Sequence, residues 1–189
     1  MNIISGMARN LLLTDLPGSA VRPTAIRARK ALFDSLGSFE GKGVIDLCSG
    51  SGALALEAAS RGAKWVFMVE NNPLHIECIK ENCRRVSAAG VKADMVISEF
   101  DLRDFSRYKH HIQGKADLMF ADPPYAKSAE FFHSLAENQE FTSMQQGATL
   151  IWEIPDTPGA AGEFISANFP DKMQFRRFGS TIFLIGVIK

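Results

Sequence analysis

Val44-Ile45-Asp46-Leu47-Cys48-Ser49-Gly50-Ser51-Gly52-Ala53 reads as a short buried strand, a glycine turn and the start of a helix. Glycines at alternate positions let the backbone come close to a ligand without Cβ clashes. The helix that follows offers free N–H groups and the positive end of its dipole. The next strand, Trp65 to Val69, is apolar throughout and ends at Glu70. An acid at that place can accept both hydroxyls of a ribose, so the first two strand ends bracket a nucleoside-shaped crevice.

Outward from this stretch, strands and helices alternate. A helix over Ala53 to Arg61 stops at Gly62, and a second runs from Pro73 to Ala88, with Pro73 near its first turn and Gly90 beyond its end. Met95 to Ile97 and Leu118 to Ala121 read as the third and fourth strands, Ser128 to Asn138 as a helix and Thr149 to Ile154 as the fifth strand. Gly162 to Asn168 is a weaker helical stretch. Gln174 to Ile188 carries two β-rich runs around Gly179, a closing hairpin. Apolar strands alternating with helices imply an α/β fold: a mainly parallel, Rossmann-like sheet with helices on both faces and one antiparallel strand from the hairpin.

Two cofactors suit the glycine turn. Gly50-x-Gly52-x-x-Ala55 satisfies the loose dinucleotide pattern of NAD. Asp46 weighs against it, because a carboxylate at the strand end repels a pyrophosphate. S-adenosylmethionine has an ammonium, a sulfonium and a ribose but no phosphate, and an acid-rich pocket suits that cation. Asp101 follows the third strand, where it could accept from an adenine amine or stand as a solvated loop carboxylate beside Glu99 and Asp104.

Asp122-Pro123-Pro124-Tyr125 follows the apolar run Ala116 to Ala121. Two prolines fix φ and remove two donors, so the corner is stiff. It holds an acid, a carbonyl and an aromatic ring in one geometry, a set that suits a flat, amine-bearing group such as a nucleobase. The competing reading is a turn whose Asp122 caps the next helix.

At 189 residues the chain is long enough for one α/β domain with a core, with residues 1–43 as an arm and helix and 44–189 as the sheet-bearing part. Lys plus Arg and Asp plus Glu are each 21, so nucleic-acid binding would need a local basic patch. Cys48, Cys78 and Cys83 have no paired spacing, which argues against disulfides and zinc. Cys48 reads as a small apolar filler rather than a nucleophile. His75, His110, His111 and His133 lack metal-like partners, so no metal is expected. No signal peptide or membrane-length run stands out, and a cytoplasmic monomer is the expectation.

Ile3 to Leu13 reads as a short hairpin or arm, and a helical pattern follows Arg22-Pro23-Thr24 through Leu36. Thr24 is a candidate N-cap. Ala25, Leu32, Phe33 and Leu36 share one face, and Arg29 falls among them, which points to a buried ion pair or a contact with a cofactor carboxylate, with a purely structural role as the competing reading. Arg27, Lys30 and Asp34 point the other way.

Taken together, Asp46 to Ala63, Val69-Glu70-Asn71 and Asp122 to Tyr125 resemble a Rossmann-like class I S-adenosylmethionine-dependent methyltransferase. Arg22-Pro-Thr-Ala-Ile-Arg-Ala-Arg-Lys-Ala-Leu-Phe-Asp-Ser-Leu36 is similar to the N-terminal motif of the RsmD-like enzymes, which methylate the N2 amine of a guanine in bacterial small-subunit ribosomal RNA. Glu153 and the Gly179-Ser-Thr181 turn also sit where that family has a Glu and a Gly-containing hairpin. The resemblance implies that Asp46, Gly50 and Gly52, with Ser51 between, hold the methionine part of S-adenosylmethionine. Glu70 would bind the ribose, Asn71 and Asp101 the adenine, and Thr24 joins the cofactor-binding set. Asp122 and the Pro123 carbonyl would accept from the target amine, with Pro124 stiffening the corner. Tyr125 would stack on the flipped base through its ring alone, so that Phe should be tolerated there and Ala not. Ribosomal RNA or the small ribosomal subunit is the implied partner, gripped by Arg9, Arg22, Arg27 and Lys127, with Lys30 and Arg103 as further candidates. Where the family's arm has a basic cluster, Ile3 to Asn10 keeps one base, and Cys48-Ser49 replaces the usual Phe-Ala. The alternatives are methylation of another nucleic-acid or amide nitrogen, and a non-catalytic module for ribosome assembly.

Overall fold

A computed structural model describes residues 1–16, 23–165 and 171–189, at 23–25 and 171–172 for the backbone alone. Helix α1 (Pro23–Ser35) leads to β1 (Gly43–Asp46), α2 (Ala53–Ser60), β2 (Trp65–Val69), α3 (Pro73–Ala88) and β3 (Asp94–Ser98). Then come α4 (Phe105–Tyr108), β4 (Leu118–Ala121), α5 (Tyr125–Ala136), α6 (Gln139–Met144) and β5 (Thr149–Ile154). The hairpin of β6 (Asp171–Phe178) and β7 (Thr181–Val187) follows. The strand order is β3-β2-β1-β4-β5-β7-β6. All pairings from β3 to β5 are parallel, and β7 enters antiparallel between β5 and β6. The expected architecture is present.

Strand alternation explains the two cores. Ile45, Phe67, Met119, Leu150 and Trp152 face one side, packed against Phe105, Tyr108, Phe132, Phe141 and Phe164. Their neighbours Val44, Val66, Phe120 and Ile151 face the other, against Leu32 and Phe33 of α1, the alanines of α2 and Ile79 of α3. A strand covered on both sides has no polar face, which is why these strands read as unbroken apolar runs.

Several boundaries move. Helix α1 starts at Pro23, so Thr24 lies in the first turn and not at the N-cap. Proline has no N–H to lose at the first helical position and its φ is already helical. Arg22 and the rest of residues 17–22 lie outside the described residues, as does the Thr24 side chain. Helix α5 begins at Tyr125, not Ser128, directly after Pro124, whose extended backbone (ψ 127°) forms the N-cap. In place of the weak helix over 162–168 there is a 3-10 helix, Ala160–Phe164, and residues 166–170 lie outside the description. Helices α4 and α6 are too short for periodicity to reveal.

The N-terminal arm is a hairpin, bridged at Asn2 and Leu12, and it lies along α2. Glu57, fully buried on α2, accepts from the Ile4 and Ser5 amides at 2.7 and 3.1 Å and from Arg61 at 2.7 Å. Ser60 accepts from the Ala8 amide and donates to the Ser5 carbonyl. Gly6, at φ +84°, passes so close that a Cβ would sit 1.8 Å from the Ser60 carbonyl oxygen. Arg29 is buried but makes no ion pair among the described residues; its guanidinium donates to the Asn2 carbonyl at 2.6 Å. It secures the arm. Glu57→Ala strands two arm amides and takes from Arg61 one of its two carboxylate partners, and should cost about 3 kcal/mol or more in urea denaturation. Loss below 1 kcal/mol would show that the arm is held by other contacts.

Candidate active site

Strand order reverses at β1, which has β2 on one side and β4 on the other. Such a switch point opens a crevice above the carboxyl ends of the strands. Asp46 pairs in register with Phe120, and the Leu47 amide donates to the Phe120 carbonyl at 2.9 Å. The glycine turn and the Asp122 to Tyr125 corner therefore leave the sheet side by side. Cys48 sits among Asp46, Glu70, Asp122 and Asp101; burial first, then these carboxylates, push its thiol far up, which keeps it protonated and not nucleophilic.

Asp46 is fully buried. One carboxyl oxygen accepts from the Ala55 amide at 3.3 Å, while Oδ1 has no partner. Burial raises its pKa to about 7, against the opposing pull of the Ala55 and Cys48 amides. The turn above it is tight: the Gly52 amide donates to the Ser49 carbonyl at 2.7 Å, with Gly50 and Gly52 at φ +54° and +79°. Ser51 is buried beside them.

Glu70 lies across the same turn. It accepts from the Gly50 amide at 2.9 Å through one oxygen and from the Asn71 and Asn72 amides at 3.0 and 2.9 Å through the other. His75 Nδ1 lies 3.4 Å from the oxygen that accepts from Gly50. Asp101 is more committed. It accepts from the Arg103 amide and guanidinium (3.0, 2.8 and 2.9 Å) and from Asn71 Nδ2 at 3.0 Å, and Arg103 holds its carboxyl below the usual carboxylate range. Arg103 also bonds Glu130 at 2.7 Å and covers the Phe131 ring. This cation is tied into the crevice wall and is not a free RNA contact.

The Asp122 corner does not cap α5: Pro124 occupies the N-cap position with no side-chain hydrogen bond. Asp122 is open to solvent at the crevice mouth. Desolvation by the surrounding protein and the neighbouring Glu153 and Asp46 carboxylates raise its pKa well above the ordinary range. A neighbouring carboxylate disfavours the ionised form of Asp122. Pro123 is buried, and Tyr125 is 48% exposed. Its hydroxyl donates to Glu153 at 2.9 Å, so the phenol has a role besides its ring, contrary to expectation. Buried Ser128 accepts from Trp152 Nε1 at 2.9 Å and fixes the start of α5 to β5.

Arg27 and Lys127 are exposed, on α1 and the first turn of α5. Arg9 is elsewhere. The adjoining Met7 amide donates to the carbonyl of Ser60, at the far end of α2 from the glycine turn. Across the eight residues of α2 that is a separation of ~12 Å. Among the described residues no group of His, Cys, Asp and Glu side chains could hold a metal ion, and no helix is long and apolar enough to cross a membrane.

Residues 1–184 match the family model described as "Conserved hypothetical protein 95". The chain belongs to that family, the RsmD-like ribosomal RNA methyltransferases. It is 32% identical over 126 residues to "Ribosomal RNA small subunit methyltransferase D" of Haemophilus influenzae, covering 66% of this chain and 64% of that one. It is 26% identical over 170 residues to the Bacillus subtilis protein named "Putative rRNA methyltransferase YlbH", covering 84% and 88%. Among solved structures it resembles a hypothetical protein of Thermus thermophilus, with a TM-score of 0.72, 28% identity, and coverage of 100% and 99%.

Two contributors to this RsmD-like site escape a reading of the sequence. Asn82 is fully buried on α3. It accepts from the Thr14 amide at 2.7 Å and donates to the Thr14 and Ser51 carbonyls at 3.1 and 2.9 Å. It thus joins the arm to the glycine turn, and Leu16 lies over Gly50, 3.5 Å from where a Cβ would stand. Its position between Ile79 and Val86 on an apolar stripe was the available signal, since a buried amide must find partners. Glu153 had a family position but no role; its bond to Tyr125 supplies one.

Two outcomes are expected. Without ligand, the folded protein keeps the Asp46 proton that the unfolded chain releases near pH 3.8. Stability should therefore fall as pH rises towards about 7 and level off above it; Asp122 contributes in the same direction. Asp46→Asn should flatten its share of that slope, at most about 4 kcal/mol in urea melts; an unchanged slope would mean that Asp46 is ionised throughout. Asn82→Ala should cost about 1–3 kcal/mol and speed hydrogen exchange at Thr14, where wild-type protection would be an adverse result.

Proposed function

We propose that this protein uses S-adenosylmethionine to methylate the exocyclic N2 amine of a guanine in small-subunit ribosomal RNA. One observation carries the reading. A buried carboxylate with an unpaired oxygen, Asp46, stands across the β1–β4 switch point from a rigid corner bearing an acid, a carbonyl and an open aromatic ring.

The residues fit the cofactor. An ammonium group would satisfy Asp46 Oδ1 and stabilise its ionised form, offsetting the cost of burial. Gly50, Ser51 and Gly52 would face the methionine part. Glu70 would take the ribose hydroxyls by giving up the Gly50 amide, and Asp101 the adenine amine by releasing Asn71. Thr24 would complete this set from the first turn of α1. A crevice of carboxylates favours a sulfonium over a pyrophosphate, which weighs against NAD. When bound, S-adenosylmethionine supplies a methyl group that carries its own leaving group.

The chain's share of the chemistry is positioning and proton management. The guanine amine is a poor nucleophile because its lone pair is delocalised into the ring. Asp122 and the Pro123 carbonyl would accept its two hydrogens and turn the lone pair towards the methyl. The carboxyl groups of Asp122 and Glu153 would take up the proton that the amine loses on methylation. Tyr125 would stack on the base, its ring angle set by Glu153. Arg27 and Lys127 would hold phosphates near the crevice, joined by Arg22; Arg9 would grip RNA farther along α2.

In single-turnover methylation of ribosomal RNA with saturating cofactor, Asp122→Ala should lose about 2–4 kcal/mol of transition-state stabilisation. Tyr125→Ala should lose about 1–3 kcal/mol, and Tyr125→Phe about 0.5–1.5 kcal/mol, through loss of the hydroxyl's bond to Glu153. Wild-type rates for Asp122→Ala would sink the assignment. Mass spectrometry of ribosomal RNA from cells with and without the protein should show one N2-methylguanosine that depends on it.

A further inference from the structure

A second concavity lies beside the crevice. It has a volume of about 350 Å³ and sits between the loop after β5 and the β6–β7 hairpin, walled by Ile154, Pro155, Asp156, Phe175, Arg177 and Ile182 among others. That size is at the lower end of small-molecule sites, ~300–1,000 Å³. Ile154 directly follows Glu153, the partner of the Tyr125 hydroxyl, so the cavity opens one residue from the proposed base-stacking corner.

Phe175 and Arg177 are two residues apart on β6 and share a face; they pair with Leu184 and Ile182 of β7. Phe175 is 43% exposed, so it is not a core residue. Asp156 grips the Arg177 guanidinium through both carboxylate oxygens, one at 2.7 Å from Nη2. An exposed ion pair adds little stability. What it does here is fix a planar cation on the strand face that also carries an open aromatic ring. Fixed guanidinium planes and aromatic faces are the surfaces on which unpaired bases stack.

We propose that this cavity seats one unpaired nucleotide flanking the target guanine, with its base against Phe175 and the Arg177 plane. The inference rests on the RNA-methylating reading above and adds where the neighbouring nucleotide goes. It makes the β6–β7 hairpin part of the substrate surface as well as a sheet edge. Stacking reads a π-face and not a base edge, so the subsite would demand an unpaired neighbour without dictating its identity.

The test is single-turnover methylation over a range of ribosomal RNA concentrations, with cofactor affinity measured separately by calorimetry. Phe175→Ala should raise the RNA KM about tenfold or more, while the cofactor Kd and the rate at saturating RNA stay within about twofold of wild type. Phe175→Trp should restore the KM, which a merely misfolded hairpin would not allow. A wild-type KM for Phe175→Ala, with wild-type enzyme active, overturns this inference and leaves the methylation reading standing. Loss on assembled subunits but not on naked RNA places a ribosomal protein in the cavity and also overturns it. Wild-type protein that methylates no ribosomal RNA removes both.

Discussion

The parallel pairing of β1 with β4 is the constraint on which the site depends. It joins strands far apart in sequence and puts Asp46 level with Phe120. Two segments with special backbones, one rich in glycine and one in proline, must then leave the sheet at the same height. One can approach a ligand closely; the other cannot yield. A slip in this register would separate them and turn the apolar side chains of β1 to the wrong cores.

The crevice concentrates negative charge at a cost the fold absorbs locally. Asp46 is raised by burial, Asp122 by desolvation and Glu153, and Asp101 is neutralised by Arg103. Glu70 is stabilised by three backbone amides. Each acid thus meets its neighbours in a different way, and Asp46 alone of these keeps an orphaned buried oxygen. The asymmetry fits a ligand whose positive charge is localised at one end.

Much of this was legible beforehand because strands buried on both faces leave a strong mark. The apolar runs at Trp65 to Val69 and Thr149 to Ile154, with Gly62, Pro73 and Gly90 as punctuation, located the sheet and its helices. The acids at strand ends followed from topology. Partnerships were not legible. Asp101 reads the same whether it faces adenine or is clamped by Arg103, and Tyr125 the same whether its hydroxyl is free or held by Glu153. Arg29 gave a correct burial, but its guanidinium donates to a backbone carbonyl and makes no ion pair among the described residues, an outcome the spacing of apolar residues does not distinguish. Distance along a helix was also hidden: nothing in the order of residues tells that the tip of the arm, next to Arg9, lies beside Ser60, at the other end of α2 from the glycine turn.

The position of β7 has a consequence for biosynthesis. Thr181–Val187 fills the gap between β5 and β6, and the Ile188 carbonyl closes the register on Gly147. While the nascent chain still lacks these residues, β5 shows a bare row of amides and carbonyls to solvent and β6 has no mate. A partly made sheet with that edge exposed is prone to stick to other chains. The strand synthesised after both its neighbours is the one that seals the fold against aggregation.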